Sequence, residues 1–427
     1  MKHIKMLTVL VLVLLTFSVL SAKGDSEKQA GGSEKLKINY WSSWSATENQ
    51  ALIMVDAANA FEKLNPHVKI NFTFNGRDNR NLVGSAIEAG TSIDVMDANI
   101  DSISALWTDY IDDLSPYFEK VYPTTDNKKY KNYIMPSMLE LTKISFDGEL
   151  KAIPYTPQGF FVLCNKNIFD EAGITAYPTT WPEMLKACEK IKNAGYTPIT
   201  TDDYYSTSWI GYYLSRLKGS DFVFNLARDK KLWNDPQVLV AAKEIEKMVK
   251  LGYFDPKIAS NQYPIAQQDM VIEENIGMYI NGTWLPNEVA STTSDQYTWG
   301  AFAFPTVENG VDGLESGCYS AFGVSVNKEA EQKVKDAAVD FAIYLTSGVW
   351  DQAFAERANA IPMNPAANWP EALQDAKVIM NTLTNRYPSQ TGLVTNSTSA
   401  QIIKDACILL MAGEITAEKF VEKASNF

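Results

Sequence analysis

Leu36–Trp41 (LKINYW) sets apolar side chains at alternate positions, the period of a half-buried strand. Residues 47–64 follow with Ile53, Ala57, Phe61 and Leu64 at i, i+4, i+8 and i+11, one face of a helix. Asn65-Pro66 stops that helix, because the residue before a proline is pushed out of the helical region. Val68–Phe74 (VKINFTF) returns to strand period, a helix is expected over about 79–89, and Ile93–Met96 reads as a third strand. Strand–helix–strand alternation predicts an α/β fold with a parallel sheet and helical crossovers. Ligands of such sheets bind beyond the carboxyl ends of the strands. That rule singles out Trp44 and Glu48, Asn75 and Arg77, and Asp97 and Asn99.

Further on, Thr180-Trp181-Pro182-Glu183 has the form of a capping box, in which Thr180 and Glu183 each accept the other's backbone amide. The helix it opens carries Met184, Ala187, Cys188 and Ile191 on one face and stops at Gly195. Residues 236–250 repeat the pattern, and a long helix is expected over 329–346 carrying Val334, Ala337, Ala338, Phe341 and Leu345. No internal repeat interrupts this alternation.

Composition narrows the chemistry. The chain has 427 residues, long enough to expect two domains. With 38 Lys+Arg against 51 Asp+Glu its net charge is −13, which argues against nucleic acid and against an anionic membrane surface as partners. The two histidines, His3 and His67, leave no multi-histidine metal site, and no P-loop, GxGxxG or HExxH appears, so no cofactor is expected. Asp97-Ala98-Asn99-Ile100-Asp101 has the opening spacing of a calcium loop, but Ser102 and Thr108 stand where glycine and glutamate are needed. Lys2, His3 and Lys5 precede an apolar run from Leu7 to Leu20 and a small-residue site ending at Ala22, the layout of a cleavable export signal over residues 1–22. Residues 23–35 contain nothing that can be buried and read as a flexible linker. The first of the four cysteines is Cys164, so no lipid-acceptor cysteine follows the signal, and a periplasmic or extracytoplasmic location is expected. Cys164, Cys188, Cys318 and Cys407 allow either disulfides or buried thiols.

Several segments together resemble the family 1 extracellular solute-binding proteins of ABC importers, the maltose-binding-protein-like group. They are KINYWSSW with FEKLNPHVKINF, KAIPYTPQGFFVLCNKNIFDEAGITAYPTTWPEMLKACEKIKNAG, IGMYINGTWLP, and TWGAFAFPTVENG followed by GCYSAFGVSVNKEAEQKVKDAAVDFAIYLTS. The resemblance covers most of residues 36–350 in order. It implies a two-lobe periplasmic binding protein fold with a hinge and an inter-lobe ligand cleft. The lobes would be discontinuous: residues 36–153 and 318–345 in one, 154–317 and 346–427 in the other. Crossings are expected near Pro154-Tyr155, Gly317-Cys318 and Leu345-Thr346. The implied function is capture of a sugar or oligosaccharide by hinge closure and delivery to the membrane subunits of an ABC permease, by a monomer that catalyses nothing.

A sugar presents an apolar C–H face and a rim of hydroxyls, which suit aromatic rings and polar side chains respectively. The candidates on that basis are Trp44 with Glu48, Asp97 with Asn99, Tyr155 with Gln158 at the first crossing, Trp209 after the polar aromatic run 201–205, Asn281, and Tyr319 at the second crossing. The resemblance adds Trp284, which matches the position where the family stacks a pyranose. Arg77 reads more simply as a solvated loop charge. Two other readings stay open: the same fold binding a polyamine, an anion or a peptide, and a secreted glycosidase with two carboxylates flanking a sugar.

Overall fold

The computed structural model describes residues Lys35–Phe427, which gather into one compact unit. The export signal expected over residues 1–22 and the linker up to residue 34 lie outside the described residues.

Nine strands form the sheet: β1 (Leu36–Ser42), β2 (Val68–Phe74), β3 (Val95–Asn99), β4 (Ile153–Asn165), β5 (Thr197–Thr200), β6 (Ile276–Gly282), β7 (Trp299–Phe302), β8 (Ser316–Val326) and β9 (Asn385–Tyr387). Their main path runs β2-β1-β3-β8-β4-β6-β5, with β7 beside β4 and β9 beside β8. The opening unit forms as its periodicity predicts. β1 pairs in parallel with β2 and β3, and the helix Asn49–Leu64 buries Ile53, Ala57 and Phe61. Leu64 differs: it is 69% exposed, at the last position of the helix. The third strand also starts later than expected, at Val95.

The sheet is mixed rather than parallel. β3 with β8, β4 with β8, and β4 with β6 and β7 all run antiparallel. β4 and β8 are long enough to pass from one half of the sheet to the other. The start of β4 (Ile153–Tyr155) pairs with Phe322–Val324 of β8, and its end (Phe160–Cys164) pairs with β6. Between these stretches the register shifts across Tyr155 and Pro157, and Thr156 takes a left-handed φ of 41°. β4 and β8 thus carry the backbone across the middle of the molecule, with β1–β3 on one side and β5–β7 on the other.

The capping box at Thr180 forms, and the helix Trp181–Asn193 buries Met184, Ala187, Cys188 and Ile191. The helix Gln332–Leu345 starts later than expected, after Glu331. Where a crossing was expected at Leu345-Thr346, the chain stays on the first half: Arg357, near the end of the helix Gly348–Ala358, pairs with Asp56 at 2.9 Å, and the Met135 amide donates to the Met363 carbonyl. Contact with the second half is made by Asp375, whose carboxylate accepts from Tyr177 Oη at 2.6 Å. All four cysteines are buried free thiols.

Candidate functional site

A cleft of about 460 Å³ opens where β1 and β3 end on one side and β6 ends on the other, with Thr156–Gln158 of β4 at its floor. On the first side, the loop after β1 is pinned by Asp97: the Ser43 amide donates to Asp97 Oδ1 at 2.7 Å, and Ser43 Oγ donates to the Asp97 carbonyl at 2.6 Å. This holds Trp44 against Phe322, ring centroids 4.4 Å apart, while Trp44 Nε1 donates to Tyr155 Oη at 2.7 Å. Arg77, from the turn after β2, donates to Glu48 Oε1 at 2.7 Å and to the Ser43 carbonyl at 2.5 Å, with its guanidinium 4.4 Å from the Trp44 ring centre. The two charges satisfy each other at the mouth of the cleft.

The opposite wall is built on Gly282 and Thr283. The Gly159 amide donates to Thr283 Oγ1 and the Thr283 amide donates back to the Gly159 carbonyl, which fastens the end of β6 to β4. Trp284 then folds back over Gly282 and stacks on Phe160, centroids 6.2 Å apart at 28°. A β-carbon at Gly282 would come within 2.1 Å of the Trp284 ring, so this placement of the indole requires glycine. Glu288 completes the wall. Burial raises its carboxyl above the ordinary range, against the opposing effects of a hydrogen bond from Gln267 and the charge of Arg77. Tyr205 sits beside it, oriented by its own amide donating to Asp202 at 2.9 Å; burial likewise raises the Asp202 carboxyl.

Of the ten sequence candidates, the structure brings Trp44, Glu48, Asn99, Gln158 and Trp284 to this cleft, and Tyr319 to a smaller chamber adjoining it. It sets the other four in the interior. Asp97 is fully buried beneath the Ser43 loop. Tyr155 is 1% exposed and serves as the acceptor for Trp44. Trp209 packs edge-on against Phe254 and Phe304 inside the second half. Asn281 points inward, its Oδ1 accepting from the Gly282 amide at 2.6 Å, because side chains alternate sides along β6. Asn99 Oδ1 caps the helix Ile100–Leu106 by accepting from the Asp101 amide. Sequence reading missed Tyr205, Glu288 and Phe322 and discounted Arg77. Only Arg77 carried a signal, its place just past the end of β2.

A two-lobe α/β molecule joined by crossing strands, with an aromatic and amide-lined cleft at the junction, has the architecture of a periplasmic-type binding protein. The chain belongs to the bacterial extracellular solute-binding proteins, whose family model matches residues 44–348. A protein of Brucella abortus (strain 2308) that carries the name of a binding protein is 26% identical over 317 residues, 71% of each chain. The diacetylchitobiose binding protein NgcE of Streptomyces coelicolor is 28% identical over 196 residues, 44% of this chain and 40% of its own. A chitin oligosaccharide binding protein superposes with a TM-score of 0.69 at 16% identity, covering 92% of this chain and 97% of that one. Maltose-bound MalE3 of T. maritima superposes with a TM-score of 0.64 at 16% identity, covering 91% and 98%. At these identities the solved structures speak to the fold.

Proposed function

We propose that this protein captures a neutral sugar or oligosaccharide outside the cytoplasm, closes its two lobes on it, and delivers it to an ABC permease, acting as a monomer without making or breaking a bond. The observation that carries this reading is the make-up of the cleft. Trp284 offers an indole face supported from behind by Phe160, and Gln158, Asn99, Asn287 and Thr283 supply hydroxyl-binding groups around it. The cleft's one cation, Arg77, is already matched by Glu48, which leaves no converging arginines for an anion. Glu288 alone is too little negative charge for a polyamine. The name of one relative, a diacetylchitobiose binding protein, supports a carbohydrate ligand.

A thermal-unfolding screen against a carbohydrate panel tests the reading. A ligand at 100 times its dissociation constant stabilises the folded protein by about 2.7 kcal/mol. The expected result is a clear upward shift with at least one neutral saccharide, lost in Trp284→Ala while the unliganded variant melts as the parent does. No shift with any saccharide, or release of new reducing ends during incubation, overturns it.

A further inference from the structure

Trp284 gives the second side of the cleft a ring to stack on, and the first side has no free ring to match it. Trp44 is 4% exposed and Phe322 6%, each lying on the other. What this pair supports is Arg77, whose guanidinium is 4.4 Å from the Trp44 ring centre and 5.7 Å from that of Phe322. An arginine carries five N–H donors in a rigid plane. Three of them are spent on the protein. Nη1 donates to the Ser43 carbonyl at 2.5 Å and to Glu48 Oε2 at 3.3 Å, and Nη2 donates to Glu48 Oε1 at 2.7 Å. Glu48 is fixed in turn by the Ser45 amide, which donates to Oε2 at 2.5 Å. Glu48 therefore closes the end of the guanidinium. The side edge, formed by Nε–H and the remaining N–H of Nη2, has no acceptor among the described residues. The side chain stays 52% exposed and lines the cleft. A guanidinium held by two rings, a carbonyl and a carboxylate, with one edge left open, is a two-donor site whose ordering cost is met before anything binds.

Resting on the carbohydrate reading above, we infer that the open edge of Arg77 determines specificity for a pair of hydroxyls on adjacent carbons of the sugar that stacks on Trp284, and that Glu48 is the positioning residue that aims it. Two parallel N–H groups match two oxygens held side by side. In a neutral sugar these are neighbouring hydroxyls, each accepting from the fork while its own O–H is left for another acceptor in the lining. A carboxylate would also fit the fork, but Glu48 already neutralises Arg77 and Glu288 stands in the same lining, so an acid would enter among two carboxylates and a single cation. Trp44, on this inference, supports the arginine and does not itself stack a sugar.

The test crosses ligand edits with protein edits by titration calorimetry. The probes are glucose, galactose, mannose, cellobiose and maltose, the forms of each that lack a single ring hydroxyl, glucuronate, and any further saccharide that raises the melting temperature in the panel above. On the unaltered chain, hydroxyl removal is expected to cost most at two adjacent positions. Arg77→Lys keeps the charge and loses the fork. It is expected to weaken binding of the intact sugar by about tenfold, the scale of a lost hydrogen bond or two, and to level the two positional losses, while its unliganded form melts near the parent. Arg77→Met is expected to weaken binding as much. Glu48→Gln, which leaves the arginine unneutralised, is expected to shift the ratio of glucuronate to glucose affinity severalfold toward the acid. Losses at no two adjacent positions on the unaltered chain, or losses that persist in Arg77→Lys because the free edge closes on Glu288 instead, overturn the inference and leave the carbohydrate reading standing. Affinity kept by Arg77→Lys and lost by Arg77→Met shows that charge and not the fork is read, and overturns it too. An unchanged acid-to-neutral ratio in Glu48→Gln overturns the role of Glu48. Absence of binding by every saccharide overturns both readings.

Discussion

Asp97 shows what a single side chain does beneath a binding site. It holds the loop that carries Trp44 and is fully buried to do so. Burial pushes its carboxyl from 3.8 up to about 6, although the Ser43 amide, the Ser42 and Tyr40 hydroxyls and the charge of Arg77 all pull it down. The ionisable groups facing it are Tyr40, Tyr155 and Arg77, and burial keeps both tyrosines protonated through neutral pH. A carboxyl that titrates higher in the folded state than in the unfolded one binds its proton more readily when folded. Its contribution to stability is full below about pH 3.8 and is lost as pH rises through about 6. Asp97→Asn keeps an oxygen for the Ser43 amide and removes the buried charge. The variant is expected to gain stability at pH 7–8, by up to a few kcal/mol, and to gain little at pH 4. Denaturant unfolding across that range measures it; a gain independent of pH would show that burial of the charge is not the cause.

At the scale of elements, the strand β6 and the turn after it set the position of the main aromatic surface. Gly282→Ala leaves the strand's backbone hydrogen bonds possible but places a methyl where the Trp284 ring now lies. The ring must swing away from Phe160, so the expected outcome is at least a tenfold loss of saccharide affinity with a smaller loss of stability. Titration beside thermal unfolding separates the two, and retained affinity would show that the indole does not need its present seat. The elements themselves were largely legible in the sequence. The period of Leu36–Trp41, the face Ile53-Ala57-Phe61 and the box at Thr180 are local patterns, and local hydrogen bonding and burial impose them. What was not legible depends on distant partners. Trp209 follows the same kind of polar aromatic run as a binding tryptophan, yet the rings of Phe254 and Phe304 bury it. Arg77 looks like a solvated charge until Glu48 and Trp44 are brought beside it. The antiparallel pairing of β4 with β8 likewise joins segments far apart in the chain and follows from no local period.

On the proposed hinge-closure reading, the whole molecule turns this arrangement into a motion. β4 is one continuous strand that serves both halves, so relative rotation is concentrated where its ladder breaks, at Tyr155–Pro157, with the left-handed Thr156 between them. Beside that break, Arg386 of β9 grips Asp101 of the helix following β3 with contacts of 2.6 and 2.7 Å, while its Nε donates to the Tyr319 carbonyl of β8. This tie joins the halves beside the strand break, and under the proposed closure it favours rotation about that point over separation. Trp284 on one side and the Trp44–Arg77–Glu48 cluster on the other are the surfaces that approach as the cleft shuts. Hinge closure of two rigid bodies predicts a change in overall dimensions with the internal packing of each body unchanged. A single compact body of this length would have a radius of gyration of roughly 21 Å, and an open two-lobe shape exceeds that. Small-angle scattering of the unliganded protein is expected to give the larger value, and saturation with a bound saccharide to move it toward the compact one. Amide exchange should slow at Tyr155, Thr156 and Gln158 and stay level in the helix Trp181–Asn193, no residue of which lines the cleft. Trp284→Ala, given the same sugar concentration, is expected to show neither change. A radius that stays constant on saturation of the parent protein would mean that capture occurs without closure, and the strand break at Thr156 would then be a feature of folding alone.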